Sequence, residues 1–218
     1  MAEFYFEIEQ HSLEWHEIKH GKIGGTRAKE LFVKSDTLLL RLLSEHIEPF
    51  DEDYEDSYKS DDMERGNFLE PQARIELEKY TGLKFYECGW IQSDNKLLGI
   101  SPDGITLDKK VQCELKCLNA VNHLKICLEN EIPLDKINQC VHAFTVNDKL
   151  EIFYFASYRP ENELKPLFVK KLTRESIVNN GTKAKPIMVS ISDLVTQSIK
   201  EAELLEKQIE QSINKLSF

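Results

Sequence analysis

The segment between residues 83 and 117 constrains the fold more than any other part of the sequence. Three β-rich runs alternate there with short turn-forming stretches, a pattern that indicates strands joined by tight connections. One of these connections is the turn sequence Ser-Pro-Asp-Gly at residues 101–104. The predicted strands are Leu83–Gln92, Lys96–Ile100 and Val111–Cys117.

Helix-forming patterns surround these strands. Thr26 is a predicted N-cap for a helix running to Val33. Glu70 and the proline after it open a second predicted helix, which Gly82 ends. The run Glu151–Tyr158 is again β-rich. Trp15–Lys19 is predicted to be the end of a first helix, which Gly21 closes. The remaining predicted helices are Leu118–Asn130, Asp135–Val146 and the long amphipathic Ser192–Leu216.

This order of elements predicts an α/β (α+β) fold, in which a central mixed β-sheet is flanked by helices. A chain of 218 residues fills one core, so we expect a single domain over 1–218 whose residues 190–218 form a C-terminal amphipathic helix. The sequence has no apolar run of about 18 residues, and its acidic start is unlike a signal peptide. Its five cysteines are an odd count, which favours reduced thiols, so we expect a cytoplasmic protein without a membrane partner.

The net charge of −10 is unevenly distributed. The segment Glu48–Glu64 contains nine acids and a single base, and the rest of the chain has a net charge of only −2. Within it, Phe50, Tyr54 and Tyr58 share one helix face by their spacing of four. The segment is interpreted either as a solvated stretch pinned by its aromatic residues or as a gate that repels nucleic acid from a wrong path.

Two acids and a lysine in the strand region indicate metal chemistry. Glu114 and Lys116 lie on the same face of their strand, and the turn carrying Asp103 immediately precedes that strand. Two buried carboxylates repel each other unless a cation lies between them, and ligand sets made only of oxygen suit Mg²⁺ or Mn²⁺. The Leu115 carbonyl could add a further oxygen ligand. The alternative interpretation is an ordinary turn followed by a solvated strand face.

The sequence at these positions resembles that of a known nuclease family. Ser-Pro-Asp-Gly followed by Glu-Leu-Lys at residues 114–116 is the signature of PD-(D/E)XK nucleases. The segments at 14–26, 65–74, 139–146 and 155–160 are similar, in the same order, to motifs of the bacteriophage lambda exonuclease and YqaJ-type viral recombinase nucleases. The resemblance covers roughly residues 13–160, and it implies a restriction-endonuclease-like nuclease core.

The resemblance also implies roles for individual residues. Asp103 and Glu114 would be the main metal ligands, joined by the Leu115 carbonyl, and two Mg²⁺ (or Mn²⁺) ions would occupy the site. Lys116 would position or activate the attacking water. Glu70 would approach from its helix and help to hold a metal.

Three more residues receive roles from the same resemblance. Gln139 would orient the active-site lysine or a metal-bound water, and Lys19 and Thr26 would form a pocket for a 5′-terminal phosphate. The lambda enzyme has arginine and serine at the latter two places. Lysine keeps the charge without the bidentate fork of arginine, and threonine keeps the hydroxyl, so we expect the pocket to be retained.

The function implied by the resemblance is a metal-dependent deoxyribonuclease that degrades linear double-stranded DNA in the 5′→3′ direction and leaves 3′ single strands for recombination. Its partners would be DNA ends, further copies of the chain in a ring-shaped homotrimer, and a single-strand annealing protein. The alternatives are a PD-(D/E)XK endonuclease of restriction or repair and a catalytically weak DNA-binding module.

Several other residue types carry weaker signals. Cys113 and Cys117 are interpreted as buried thiols rather than metal ligands, and Trp15 and Trp90 as core residues rather than stacking platforms for bases. His142 is interpreted as a structural histidine, with a role beside Gln139 as the alternative. A basic stretch is a candidate DNA-backbone contact and consists of Lys165, Lys170, Lys171, Arg174, Lys183 and Lys185.

Overall fold

The computed structural model describes residues 1–33, 36–51 and 61–216 of the chain. Tyr54 and Tyr58, and with them most of the acidic segment Glu48–Glu64, lie outside these described residues. The helices are α1 (Leu13–Lys19), a 3₁₀ helix (Gly25–Phe32), α2 (Asp36–Ile47), α3 (Asp61–Thr81), α4 (Ala120–Glu129), α5 (Leu134–Val146) and α6 (Ile191–Leu216).

A mixed four-stranded sheet carries the middle of the chain. Its order is β4 (Gly104–Ile105), β5 (Val111–Lys116), β6 (Ile152–Tyr158) and β7 (Leu167–Leu172). The β5 and β6 strands are parallel, and the other two pairs are antiparallel. The crossover from β5 to β6 contains α4 and α5, as parallel pairing requires. The predicted fold, a central mixed sheet flanked by helices, is confirmed.

Two smaller sheets complete the strands. One has the order β1 (Glu3–Tyr5), β2 (Trp90–Gln92) and β3 (Gly99–Ile100), and the other pairs β8 (Ile177–Asn179) with β9 (Met188–Ser190). The predicted strands at 83–92 and 96–100 were too long. The chain passes from one sheet to another there: Tyr86 bridges to Ile105 in the central sheet, whereas the Gly89 N–H already donates to the Tyr5 carbonyl in the outer one.

Two predicted helix starts were wrong. Thr26 does not cap its helix, because the 3₁₀ helix already begins at Gly25 and the extended residue at the cap is Gly24. The α3 helix begins at Asp61 rather than Glu70, so Pro71 lies inside it. A proline leaves the carbonyl four residues earlier without its helical partner, and the helix tolerates this loss because Pro71 and Asn67 are both exposed.

The C-terminal helix α6 packs its apolar face against α2 and α5. Leu194, Ala202 and Ile209 are buried along that face, and Ile199 is exposed on another side. The predicted amphipathic helix is therefore confirmed, with its start one residue earlier than expected. No helix in the described ranges is long and apolar enough to cross a bilayer.

Candidate active site

One cleft of about 500 Å³ is lined by residues from distant parts of the sequence. Its walls come from α1, the 3₁₀ helix, α3, the β3–β4 turn, the end of β5 and α5. Every site residue expected from the sequence lines this cleft: Lys19, Thr26, Glu70, Asp103, Glu114, Leu115, Lys116 and Gln139.

The β4–β5 hairpin places Asp103 beside β5. Gly104 pairs with Cys113 across the hairpin, so the preceding residue reaches the end of β5, where Asp103 Oδ2 accepts a hydrogen bond of 2.6 Å from the Leu115 N–H. Burial raises the pKa of Asp103 to about 6, although Lys116 and this hydrogen bond oppose the rise. Burial, and then the charge of Asp103, raises the pKa of Glu114 to about 7. The ionised form of Glu114 is therefore disfavoured by burial and by Asp103, and that of Asp103 by burial and by Glu70.

Lys116 forms an ion pair with Oε1 of Glu114, which is only 2% exposed. Burial alone would lower the pKa of the ammonium, but Glu114 and Asp103 outweigh that effect and raise it above its ordinary value. Lys116 is accordingly a firmly charged group in this arrangement. It is suited to orienting a water or a phosphate oxygen rather than to accepting a proton.

Gln139 holds the same carboxylate from the opposite element. Its Nε2 on α5 donates a hydrogen bond of 2.6 Å to Oε1 of Glu114. The Gln139 side chain packs against Gly25, where an added Cβ would lie 3.1 Å from its Cγ. The 3₁₀ helix therefore restricts the side chain of Gln139, which holds Glu114.

Glu70 enters the cleft from α3 and is held by Arg74, one helical turn later, at 3.1 Å. Burial raises the pKa of Glu70, and the Arg74 and Lys116 charges partly oppose this rise. Arg74 also contacts Glu87 at 2.5 Å. Sequence reasoning missed Arg74, although its spacing of four from Glu70 was a usable signal.

Lys19 and Thr26 lie in the part of the cleft formed by α1 and the 3₁₀ helix. The Lys19 ammonium lies 3.2 Å from the centroid of the Trp15 ring, over its face. Trp15 is 7% exposed, in agreement with its interpretation as a core residue, but it also lines the cleft. The sequence did not predict this contact with Lys19.

Other residues that the sequence analysis considered as candidates have structural roles. His142 is 1% exposed, and its Nε2 lies within hydrogen-bond distance of the Ile23 and Gly99 carbonyls, so it ties α5 to the strands and not to the cleft. Arg174 donates to the carbonyls of Phe144 and Asn147, which makes it part of the body. All five cysteines are outside disulfide bonds; Cys113 is buried as predicted, whereas Cys117 is partly exposed.

Few side chains of the cleft could act as ligands of a metal ion. Among residues 1–33, 36–51 and 61–216, no three His, Cys, Asp or Glu side chains converge as a complete metal cage. Burial raises the pKa values of both Asp103 and Glu114, and a neighbouring carboxylate adds to each rise: Glu70 for Asp103, and Asp103 for Glu114. A cation between Asp103 and Glu114 would relieve such repulsion, and the Leu115 carbonyl and Glu70 are the further oxygen donors in the cleft. The residues present therefore fit a divalent cation.

The fold as a whole is similar to that of two solved structures. The alkaline exonuclease LHK-Exo from Laribacter hongkongensis superimposes with a TM-score of 0.72 at 20% identity, over 94% of this chain and 96% of that one. LHK-Exo in complex with dAMP gives a TM-score of 0.71 at 21% identity, over 94% and 98% of the two chains. At these identities the similarity establishes the fold alone.

Membership of a family follows from the sequence match. The sequence model of the YqaJ-like viral recombinase domain matches residues 14–150, which is more than half of the chain and includes every residue expected in the site. No curated protein matches the chain significantly. This protein belongs to the YqaJ-like viral recombinase domain family.

Proposed function

We propose that this protein is a metal-dependent deoxyribonuclease that degrades linear double-stranded DNA from its 5′ ends and leaves 3′ single strands for recombination. The observation that carries the proposal is the convergence of Asp103, Glu114 and Lys116 with Lys19 and Thr26 in one cleft. The family and the fold shared with an alkaline exonuclease support a nuclease acting on DNA ends. The cleft supplies both a hydrolytic centre and a cationic pocket for the terminal phosphate.

The metal in this proposal is Mg²⁺ or Mn²⁺, with two ions per site. The groups that would hold these ions are Asp103, Glu114, the Leu115 carbonyl and Glu70. When bound, a divalent cation activates water and stabilises the charge that develops on the phosphate oxygens. Cation binding would favour the ionised forms of Asp103 and Glu114, whose pKa values burial and neighbouring carboxylates raise.

The side chains of the chain perform the remaining tasks. Lys116 keeps its proton and orients a water or a non-bridging oxygen beside Glu114. Gln139 holds Glu114 in its rotamer, and Lys19 with Thr26 binds the terminal phosphate by charge and hydroxyl. The 5′ end of the DNA strand is thereby held at a fixed position relative to Asp103 and Glu114.

The proposal is tested with linear duplex labelled separately at its 5′ and 3′ ends, with and without a 5′ phosphate. We expect Mg²⁺-dependent release of the 5′ label as short products, faster with the phosphate, while the complementary strand persists. Asp103→Ala should abolish this activity. Lys110→Ala is the matched control, because Lys110 is a half-exposed lysine of the same hairpin that pairs with Glu151. Normal Mg²⁺-dependent degradation by Asp103→Ala would overturn the proposal.

Covalently closed circular DNA separates the proposal from its alternatives. An end-dependent exonuclease leaves closed circles intact, whereas an endonuclease of restriction or repair would linearise them. Binding of duplex without any cleavage would instead indicate a DNA-binding module. The predicted homotrimer is tested by light scattering of the purified chain, and the single-strand annealing partner by co-purification. We place the protein in the cytoplasm, where its DNA substrate would be.

A further inference from the structure

The Trp15 indole connects two functional parts of the cleft. One face of the ring contacts the Lys19 ammonium at 3.2 Å from the centroid. The ring N–H donates to Ser101 Oγ at 2.7 Å and to the Gly89 carbonyl at 3.0 Å. Ser101 stands two residues before Asp103, so a single side chain links the cation of the phosphate pocket to the turn that carries the carboxylate.

The indole itself is held rigidly. The Ser101 hydroxyl donates to the same Gly89 carbonyl at 2.7 Å, which closes a small hydrogen-bonded ring around the indole N–H. Gln10 adds a second link nearby, since its Nε2 donates to the carbonyls of Pro102 and Cys88. Trp15 therefore has one position relative to the Asp103 turn.

Contact with the fixed Trp15 ring restricts the position of the Lys19 side chain. A lysine ammonium is a point charge on a flexible four-carbon stem, without the planar fork by which arginine orients a phosphate. An aromatic face attracts the ammonium and restricts the stem in the absence of ligand, so less conformational entropy is lost when a phosphate binds. The structure provides such a restraint through the face of the Trp15 ring.

We propose that Trp15 is a positioning residue that fixes the Lys19 ammonium relative to Asp103, so that the cleft engages a terminal phosphate in register with the carboxylates. This inference rests on the proposed function. It adds a specificity role for a side chain that touches neither the metal ligands nor the scissile bond. Trp15 acts through Lys19 and determines the preference for a 5′-phosphorylated end.

The test measures binding separately from cleavage. A fluorescent hairpin duplex with one blunt end carries either a 5′ phosphate or a 5′ hydroxyl, and its affinity is measured by anisotropy without divalent cations. We expect wild-type protein to favour the phosphate. Trp15→Leu should reduce that preference on the order of tenfold and leave the affinity for the hydroxyl end unchanged. Trp15→Phe, which keeps an aromatic face, should reduce the preference only about twofold to threefold.

A double-mutant cycle with Lys19→Met separates positioning from general damage to the fold. If Trp15 acts through Lys19, Trp15→Leu or Trp15→Phe has no further effect on the preference in the Lys19→Met background. Trp90→Phe is the matched control: Trp90 is a buried tryptophan of the same cleft whose N–H bonds Gln92, and its replacement should leave the preference unchanged. If Trp15→Leu does not fold, Trp15→Phe completes the cycle with a twofold to threefold effect, of the order expected for a weakened cation–π contact.

Three results would overturn the inference: wild-type protein without a phosphate preference, a Trp15→Leu variant with the wild-type preference, or an equal loss in the Lys19→Met background. These outcomes differ from failure of the proposed function, which is absence of Mg²⁺-dependent degradation. A nuclease that ignores the 5′ phosphate would keep the proposed chemistry and exclude the role of Trp15.

Discussion

Loss of the hydrogen bond from Gln139 to Glu114 should lower the rate of DNA cleavage. Gln139→Ala removes the 2.6 Å donor to Oε1 and leaves Lys116 as the remaining group that holds that oxygen in the structure's described contacts. A hydrogen bond to a charged group contributes about 1.5–3 kcal/mol. Since about 1.4 kcal/mol corresponds to a factor of ten, we expect the cleavage rate of Gln139→Ala to be lower on the order of 10- to 100-fold.

Removal of the Gln139 side chain should destabilise the ionised form of Glu114 more than its protonated form. Burial already raises the pKa of this carboxyl to about 7, and removing a donor to its charged form raises the pKa further. Protonation competes with cation binding at neutral pH. The Gln139→Ala variant should therefore need more Mg²⁺ for half-maximal activity, and raising the pH should recover part of its rate.

The assay is the initial rate of 5′-label release from phosphorylated linear duplex, titrated with Mg²⁺ at pH 7 and at pH 8.5. The matched control is Asn138→Ala, which removes an amide from the neighbouring position of α5, where the side-chain oxygen has no hydrogen-bond partner within the described part of the chain. A Gln139→Ala variant with the wild-type rate and Mg²⁺ requirement would refute the reasoning. Melting curves followed by circular dichroism establish that both variants fold.

Three further outcomes are expected. Lys116→Ala should lower the cleavage rate by about 10²- to 10³-fold, the effect of losing one oriented donor, while duplex binding persists, as measured by label release and gel shift. Without metal, the free energy of unfolding should fall as pH rises from about 4.5 to 7, because the folded state holds protons on Asp103 and Glu114 (pKa about 6 and about 7) that the unfolded chain has released. Added Mg²⁺ should restore that stability at pH 7.5, and a urea midpoint that is unchanged from pH 5 to 7.5 in chelator would contradict this account. Ile209→Ala should cost about 2–4 kcal/mol in urea unfolding because Ile209 is 3% exposed, whereas Ile199→Ala, at a position 41% exposed, should cost less than about 1 kcal/mol.

The acidity of the chain does not oppose a DNA substrate. Most of the excess acid lies in Glu48–Glu64, and part of the remainder consists of the cleft carboxylates, whose charge a divalent cation would offset. Two residues of the basic stretch from Lys165 to Lys185 are engaged within the protein. Arg174 is committed to backbone carbonyls, and Lys183 pairs with Glu129 at 2.7 Å.

The central part of the site could be predicted because its geometry is local. Alternation along one strand places Glu114 and Lys116 on the same face, and a short hairpin brings Asp103 beside them. Gln139, Glu70, Lys19 and Thr26 came from the resemblance to a family, because no local rule joins segments so far apart. The structure brings all of them to one cleft.

Other features could not be predicted, for physical reasons. The strands around residues 83–100 are short because that segment leaves one sheet for another, which depends on pairing partners distant in sequence. The contact of Lys19 with Trp15 also escaped prediction: the two residues are one helical turn apart, but the ring orientation that creates the contact is set by Ser101 and Gly89.

The sequence by itself determined the class of fold, the long C-terminal helix and the hairpin with its carboxylates and lysine, because these follow from periodicity and short-range geometry. Only the tertiary structure decided which distant side chains hold that centre. Gln139 holds Glu114, and Trp15 joins Lys19 to the Asp103 turn. Hydrogen bonds and ring contacts require atoms within a few ångströms, and only packing of the helices against the sheet brings these residues so close.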